Sequence, residues 1–189
     1  MKSVNSCLND GTVIDLLRDE YARIWKLCAK YQAALENDSA SERARVVHEL
    51  CPLVTICSLV EQEVFYPEVR KVDHELVLDL IVAHDDIAGC IMELRTLQPE
   101  DMDYDLEVLR LIDIVQDHIR LSERMMLPLI EREIPASRLQ PLAVDFVHRK
   151  RLLETFATGK SAPHVTAAPG APRLMQPSIT GHGEHRAAV

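Results

Sequence analysis

Hydrophobic residues recur at intervals of three and four along most of the chain up to residue 157, which is the spacing of amphipathic α-helices. Short polar or proline-containing breaks divide this pattern into four long segments and one shorter segment. The pattern predicts an all-α fold: an antiparallel up-down-up-down four-helix bundle over residues 12–133 and an extra C-terminal helix over 137–157. Residues 159–189, rich in Ala, Pro, Gly and His, are predicted to form a disordered tail.

The same spacing predicts which face of each bundle helix is buried, because positions three and four apart share one side of a helix. Pro67 and Pro128 are expected to bend or end the second and fourth helices. The predicted core positions are Ile14, Leu17, Tyr21, Ile24, Cys28, Tyr31 and Leu35 in the first helix; Leu50, Val54, Cys57, Glu61 and Val64 in the second; Leu80, His84, Ile87, Ile91 and Leu94 in the third; and Val108, Leu111, Val115, His118, Ser122, Met125 and Leu129 in the fourth.

Glu61 is the most informative polar residue on these faces. An ionised carboxylate in an apolar interior is costly unless it is paired with a base, hydrogen-bonded throughout or bound to a cation. His84 and His118 lie near the middle of their own apolar faces and are candidate partners. Cys57 lies one helical turn before Glu61, and Tyr21 lies on the buried face of the first helix. The four helices can therefore bring a metal site together in the bundle core.

Glu123 is a further candidate on the fourth helix. It follows His118 by five residues, so an ideal α-helix rotates it about 140° away from that histidine. A bend near Pro128 or a long side-chain reach is needed to bring it to the same centre. The candidate metal ligands are therefore Tyr21, Cys57, Glu61, His84, His118 and Glu123.

The composition narrows the classes of partner. The formal net charge is −9, and a basic surface for nucleic acid is missing before the C-terminal residues. No apolar run long enough to cross a membrane is present, and the N-terminus lacks the apolar core of a signal peptide. The five cysteines are odd in number and mostly lie in helical patterns, which favours free thiols. We expect a cytoplasmic protein with no nucleic-acid or membrane partner.

Three local motifs give the bundle a family resemblance. The stretch Glu61-Gln-Glu63-Val-Phe-Tyr-Pro67 is similar to an E-E-E-I-F-Y-P signature, and His118 with Pro128 ten residues later is similar to H-x-x-x-E-E-x-x-L-F-P. His84 falls where a third helix supplies a histidine. Over residues 12–133 the chain thus resembles the hemerythrin-like family, also called HHE cation-binding domains. The resemblance implies a non-haem iron site with one or two ions, to which Glu61, His84 and His118 are matched, and Glu123 has the spacing used in hemerythrins proper.

The chain also departs from the family pattern. Tyr21 and Cys57 stand where the resemblance leads us to expect the histidines of the first and second helices. Ala88 stands at the second histidine of the third helix, and Ser122 stands at an acidic position of the fourth. One iron would keep its histidines, and the other would be offered a phenol and a thiol. Tyr21 and Cys57 are either anionic ligands that favour Fe(III) or packing residues of the core.

These observations support three hypotheses about function. The first is a non-haem iron protein that binds or senses O2, NO or redox state rather than carrying oxygen reversibly. The second is a di-iron enzyme that turns over peroxide or oxygen. The third is a metal-free bundle that serves as a protein-interaction module. The basic run at residues 148–151 is predicted to be a solvated helix end.

Overall fold

The computed structural model describes residues 12–157, and five helices make up nearly all of this part of the chain. It contains no β-strand within those residues, so the predicted all-α fold is confirmed. No helix in the described range combines the length and apolar character needed to cross a membrane. The helices are α1 (Val13–Glu36); α2, with an α-helical part Ala40–Val60, a π-helical part Glu61–Phe65 and an α-helical part Tyr66–Val69; α3 (His74–Leu94); α4, with parts Tyr104–Leu121, Ser122–Met126 (π-helical) and Leu127–Glu133; and α5 (Ala136–Ala157).

The start and end of α1 follow from local side-chain chemistry. The Thr12 hydroxyl accepts a hydrogen bond from the Asp15 amide at 3.3 Å, and the Asp15 carboxylate accepts one from the Thr12 amide at 2.7 Å. This reciprocal pair satisfies two backbone donors that the first helical turn leaves free. Asp38 has a φ of 50°, a left-handed conformation that Asp tolerates better than most residues, and it turns the chain into α2.

Helices α1 to α4 bury the faces predicted from the sequence, with one exception. All five predicted positions in α2 and all five in α3 are buried, and in α1 only Leu35 is half-buried. Helices α1 and α2 pack together, as do α3 and α4. The core is therefore formed by the stripes that also contain the polar candidates.

The exception lies at the end of α4, where Met125 was predicted to be buried and Leu129 is only partly buried. Met125 is 52% exposed, whereas Met126 and Ile130 are buried. A π-helical turn contains one more residue than an α-helical turn, and Ser122–Met126 is π-helical. This extra residue moves the buried face forward by one position after Ser122. The α-helical period therefore fails beyond this point.

Helix α5 packs on the bundle next to the π-helical part of α2. The buried ring of Phe146 meets Phe65 edge to face, with centroids 5.9 Å apart. Arg149 and Lys150 form ion pairs with Glu63 and Glu20 of the bundle. The basic run is therefore not simply a solvated helix end, because two of its cations fix α5 to α1 and α2.

The predicted tail, residues 159–189, lies outside the described residues. We expect that a chain truncated after Gly159 keeps its thermal midpoint within a few degrees, since every predicted core position precedes that residue. Thermal unfolding followed by circular dichroism measures this midpoint. A larger drop would show that residues beyond Gly159 stabilise the bundle.

Candidate metal centre

Three side chains from three helices converge in the core of the bundle. Glu61 opens the π-helical part of α2, His84 lies in the middle of α3, and His118 lies near the end of the first part of α4. The Glu61 Oε2 atom is 3.0 Å from Nε2 of His118 and 3.6 Å from Nε2 of His84. The two Nε2 atoms are 3.2 Å apart. Each of the three residues is at most 5% exposed.

The dimensions of this triangle suit a single metal ion. Ligand atoms about 2.1 Å from a metal lie about 3.0 Å apart in an octahedral arrangement and about 3.4 Å apart in a tetrahedral one. The observed separations of 3.0, 3.2 and 3.6 Å cover this range. Within residues 12–157, this is the only group of three or more His, Cys, Asp or Glu side chains with such mutual spacing. We refer to Glu61, His84 and His118 as the triad.

The electrostatics of the triad match the needs of a metal ligand set. Burial by itself raises the pKa of Glu61, but the neighbouring His118 and His84 outweigh this effect and hold the pKa below its usual value. Burial lowers the pKa of His84 to about 4. At neutral pH the carboxylate is therefore ionised and His84 is neutral, so their contact is not a charge pair. Metal coordination requires these protonation states.

Two further residues contact the triad and were not among the predicted site residues. The Tyr66 hydroxyl donates to Oε2 of Glu61 at 3.2 Å, and its ring stacks on His84 with centroids 5.4 Å apart. The Gln62 side chain lies 3.1 Å from Nδ1 of His84. An α-helical period places Tyr66 about 140° away from Glu61, but the wider π-helical turn brings the two onto one face. In the sequence, the feature that indicates this contact is a tyrosine five residues after a carboxylate on the core face.

Cys57 contacts the other oxygen of the Glu61 carboxylate, and Tyr21 lies close enough to Glu61, Cys57 and Ser122 for each to change the pKa of its hydroxyl. The Cys57 thiol donates to Oε1 of Glu61 at 3.3 Å. Burial, and then the negative charge of Glu61, raises the pKa values of Tyr21 and Cys57, so both carry their protons near neutral pH. The hydroxyls of Tyr21 and Ser122 and the Nδ1 atom of His118 are buried without a hydrogen-bond partner among the described residues. Coordination of a metal by Tyr21 or Cys57 stays a prediction.

The structure does not bring Glu123 to this centre. Its side chain is exposed on the π-helical part of α4, because the buried face of that helix runs from His118 through Ser122 to Met126. Ala88, at the position of a second histidine on the third helix, is also exposed. The structure thus brings together one carboxylate and two histidines, with a phenol and a thiol next to them.

Comparison with known proteins gives a family match over the part of the chain that contains the triad. A family model for the hemerythrin HHE cation-binding domain matches residues 12–130, which include the whole triad. The chain belongs to the hemerythrin HHE cation-binding domain family. Within this family, a crystal structure of an HHE domain-containing protein from Mycobacterium kansasii matches with a TM-score of 0.69 and 20% identity, over 80% of this chain and 92% of that chain. At this identity the match to the solved HHE domain concerns the fold. A search of curated proteins finds no significant match.

Membership of the HHE family gives the triad a chemical context. The family is named for cation binding, and the triad is a buried group inside the matched region that could hold a metal ion. This HHE domain carries a candidate metal site on three of its four bundle helices. Two residues that depart from the family pattern lie near the same carboxylate: Cys57 contacts its Oε1 atom, and Tyr21 is close enough for Glu61 to raise the pKa of its hydroxyl.

Proposed function

We propose that the chain is a non-haem iron protein in which Glu61, His84 and His118 hold a single iron that binds O2 or NO. The observation that carries the proposal is the triangle of 3.0, 3.2 and 3.6 Å between one carboxylate oxygen and two imidazole nitrogens. Two histidines and one carboxylate on one face of a metal leave other coordination positions open, as in non-haem Fe(II) sites. A small ligand can then bind the metal directly.

The donor set alone does not select iron, because two histidines and one carboxylate also suit zinc. We favour iron because the chain resembles the hemerythrin-like family. The depth of the site favours a very small ligand, because all three triad residues are buried. We infer binding or sensing rather than reversible oxygen carriage, because the phenol and thiol beside Glu61 stand where the resemblance leads us to expect histidines.

A paired iron centre is the second candidate, and one contact favours it. The two oxygens of Glu61 face different groups: Oε2 faces the histidines, and Oε1 accepts a hydrogen bond from Cys57. A carboxylate whose two oxygens point to different groups can bridge two metal ions. The ratio of iron to protein separates the two candidates.

Anaerobic loading with Fe(II), followed by desalting, tests the proposal. We expect about one iron per chain, since the triad offers one set of facial ligands. Adding NO should then produce an electron paramagnetic resonance signal that the metal-free protein lacks. Retention of no iron would contradict the proposal. Retention of two irons would favour the paired centre.

Gln62 is expected to tune the affinity of the site for iron. When Nε2 of His84 binds a metal, Nδ1 carries the proton, so Gln62 must accept through its amide oxygen after a half-turn of the amide. Gln62→Leu removes this acceptor. The affinity for Fe(II) should fall by roughly 10- to 100-fold, the usual effect of losing such a partner.

Competition with a coloured chelator under anaerobic conditions measures this affinity. Gln32→Leu, at an exposed position of α1, is the matched control and should leave the affinity unchanged. Equal affinities for the Gln62→Leu variant and the unaltered chain would show that Gln62 does not orient His84.

A further inference from the structure

A second polar group lies beside the triad, and we call it the donor cluster: Tyr21 from α1, Cys57 from α2 and Ser122 from α4. Their exposures are 1%, 6% and 0%, so all three are shielded from solvent. Cys57 donates to Oε1 of Glu61, the carboxylate oxygen that does not contact the histidines. Tyr21 lies close enough to Glu61, Cys57 and Ser122 for each to change the pKa of its hydroxyl. The donor cluster therefore borders the candidate metal site on one side.

Two members of the donor cluster have unused hydrogen-bonding capacity. Neither the Tyr21 nor the Ser122 hydroxyl makes a hydrogen bond of normal distance and angle within residues 12–157, although Ser122 lies near enough to Tyr21 to lower the pKa of that phenol. A buried hydroxyl without a partner is costly, and native proteins rarely keep one without a reason. Two other buried tyrosines behave differently, because Tyr31 donates to Asp105 and Tyr66 donates to Glu61. The unpaired hydroxyls are thus concentrated next to the triad.

The residue types decide what these hydroxyls can bind. A phenol and an aliphatic hydroxyl keep their protons near neutral pH and act as hydrogen-bond donors. A divalent ion with two neutral histidines and one carboxylate has a net charge of about +1, which favours a ligand that carries negative charge. If a metal at the triad held a small anionic ligand, these hydroxyls would be the neutral donors available to it in this part of the core.

We propose that Tyr21 and Ser122 form a donor pocket that hydrogen-bonds the outer atom of a small anionic ligand bound at the triad, and so determine which small ligands the site holds. This proposal rests on the proposed function, because it requires a metal at the triad. The proposal also gives a role to Tyr21 and Ser122, which both depart from the family pattern. A hydrogen-bond donor stands at each position where a metal ligand was expected.

Azide is a suitable probe, because it is a small linear anion that binds open metal positions and has a strong infrared band. We compare the iron-loaded unaltered chain with Tyr21→Phe and Ser122→Ala. Each variant should keep its iron but bind azide roughly tenfold more weakly, since each loses one hydrogen bond to a charged group. The azide stretching band should also shift in each variant. Tyr31→Phe, a buried tyrosine paired elsewhere, should change neither azide readout.

A measurement on the metal-free protein separates a ligand-binding role from a structural one. Tyr21→Phe should leave the thermal midpoint unchanged or raise it, because the hydroxyl it removes has no partner. Tyr31→Phe should lower the midpoint, because it breaks the bond to Asp105. A loss of stability in metal-free Tyr21→Phe would overturn the proposal in favour of a structural role.

Three other results would also overturn the donor pocket. The first is an azide affinity that does not change in either variant while iron is retained, which would leave the proposed iron site intact. The second is a visible band of the ferric protein that disappears in Tyr21→Phe, because a phenolate bound to Fe(III) gives such a charge-transfer band and Tyr21 would then be a ligand. The third is the failure of the unaltered chain to retain iron, which would overturn the proposed function as well.

Discussion

Replacing both His84 and His118 by alanine is expected to remove iron binding. The double variant keeps only one of the three triad ligands, the Glu61 carboxylate. A single carboxylate in the protein interior cannot fix the coordination geometry of a metal. Iron measured after anaerobic Fe(II) loading and desalting should fall from about one per chain to background, because histidine ligands supply most of the donors.

The control for this experiment removes the same number of histidines at the surface. His48 on α2 and His74 on α3 are both exposed, and the variant with alanine at both positions should retain iron like the unaltered chain. Circular dichroism checks that each variant keeps its helical signal. If the alanine variant at His84 and His118 loses that signal, glutamine at both positions preserves more of the buried volume and repeats the test. Equal iron contents in the triad and surface variants would refute the triad as the metal site.

The triad could be predicted from the sequence because of where its residues lie in their helices. Glu61 opens its π-helical segment, and His118 precedes the other one, so the α-helical period holds up to both residues. His84 lies in a regular α-helix. Their place on the buried faces therefore follows from the three- and four-residue spacing of an α-helix. Beyond Ser122 in α4 the same counting fails, whereas Val64 in the π-helical part of α2 is still buried as predicted.

The residues that the sequence did not reveal lie in or just after those π-helical segments. Met125 was placed in the core by the α-helical period and is exposed, and Glu123, a candidate through its five-residue spacing from His118, is exposed as well. Tyr66 was passed over although it contacts Glu61. A π-helical turn is rare in proteins and is often found at functional sites. Here the π-helical segment of α2 begins at Glu61, and that of α4 begins four residues after His118. The irregular backbone thus marks the site more closely than the hydrophobic pattern does.

The ion pairs of α5 could not be predicted for a different reason. Arg149 and Lys150 pair with Glu63 and Glu20, which are 86 and 130 residues away in the chain. No periodic pattern links such distant positions, because the pairing depends on how α5 packs against α1 and α2. The same packing places α5 against Phe65, in the segment that begins with Glu61.

Replacing Tyr21 and Cys57 together by histidine is expected to add a second iron. The resemblance leads us to expect histidines at these two positions, and Cys57 already contacts Oε1 of Glu61. Two neutral imidazoles and this oxygen form a second set of two nitrogens and one oxygen beside the triad. Iron per chain should rise from about one to about two, with the carboxylate between the two ions. The reduced form should also become more stable, because neutral imidazole favours Fe(III) less than phenolate or thiolate does.

The single variants Tyr21→His and Cys57→His are the controls for the second iron. Each adds only one nitrogen beside Oε1, so each should stay near one iron per chain, since a stable site needs at least three protein ligands. A folded double variant that still retains one iron would show that this side of Glu61 cannot hold a metal. Two irons in the unaltered chain would favour Tyr21 and Cys57 as ligands already, because Cys57 contacts Oε1 of Glu61 and Tyr21 lies near that carboxylate.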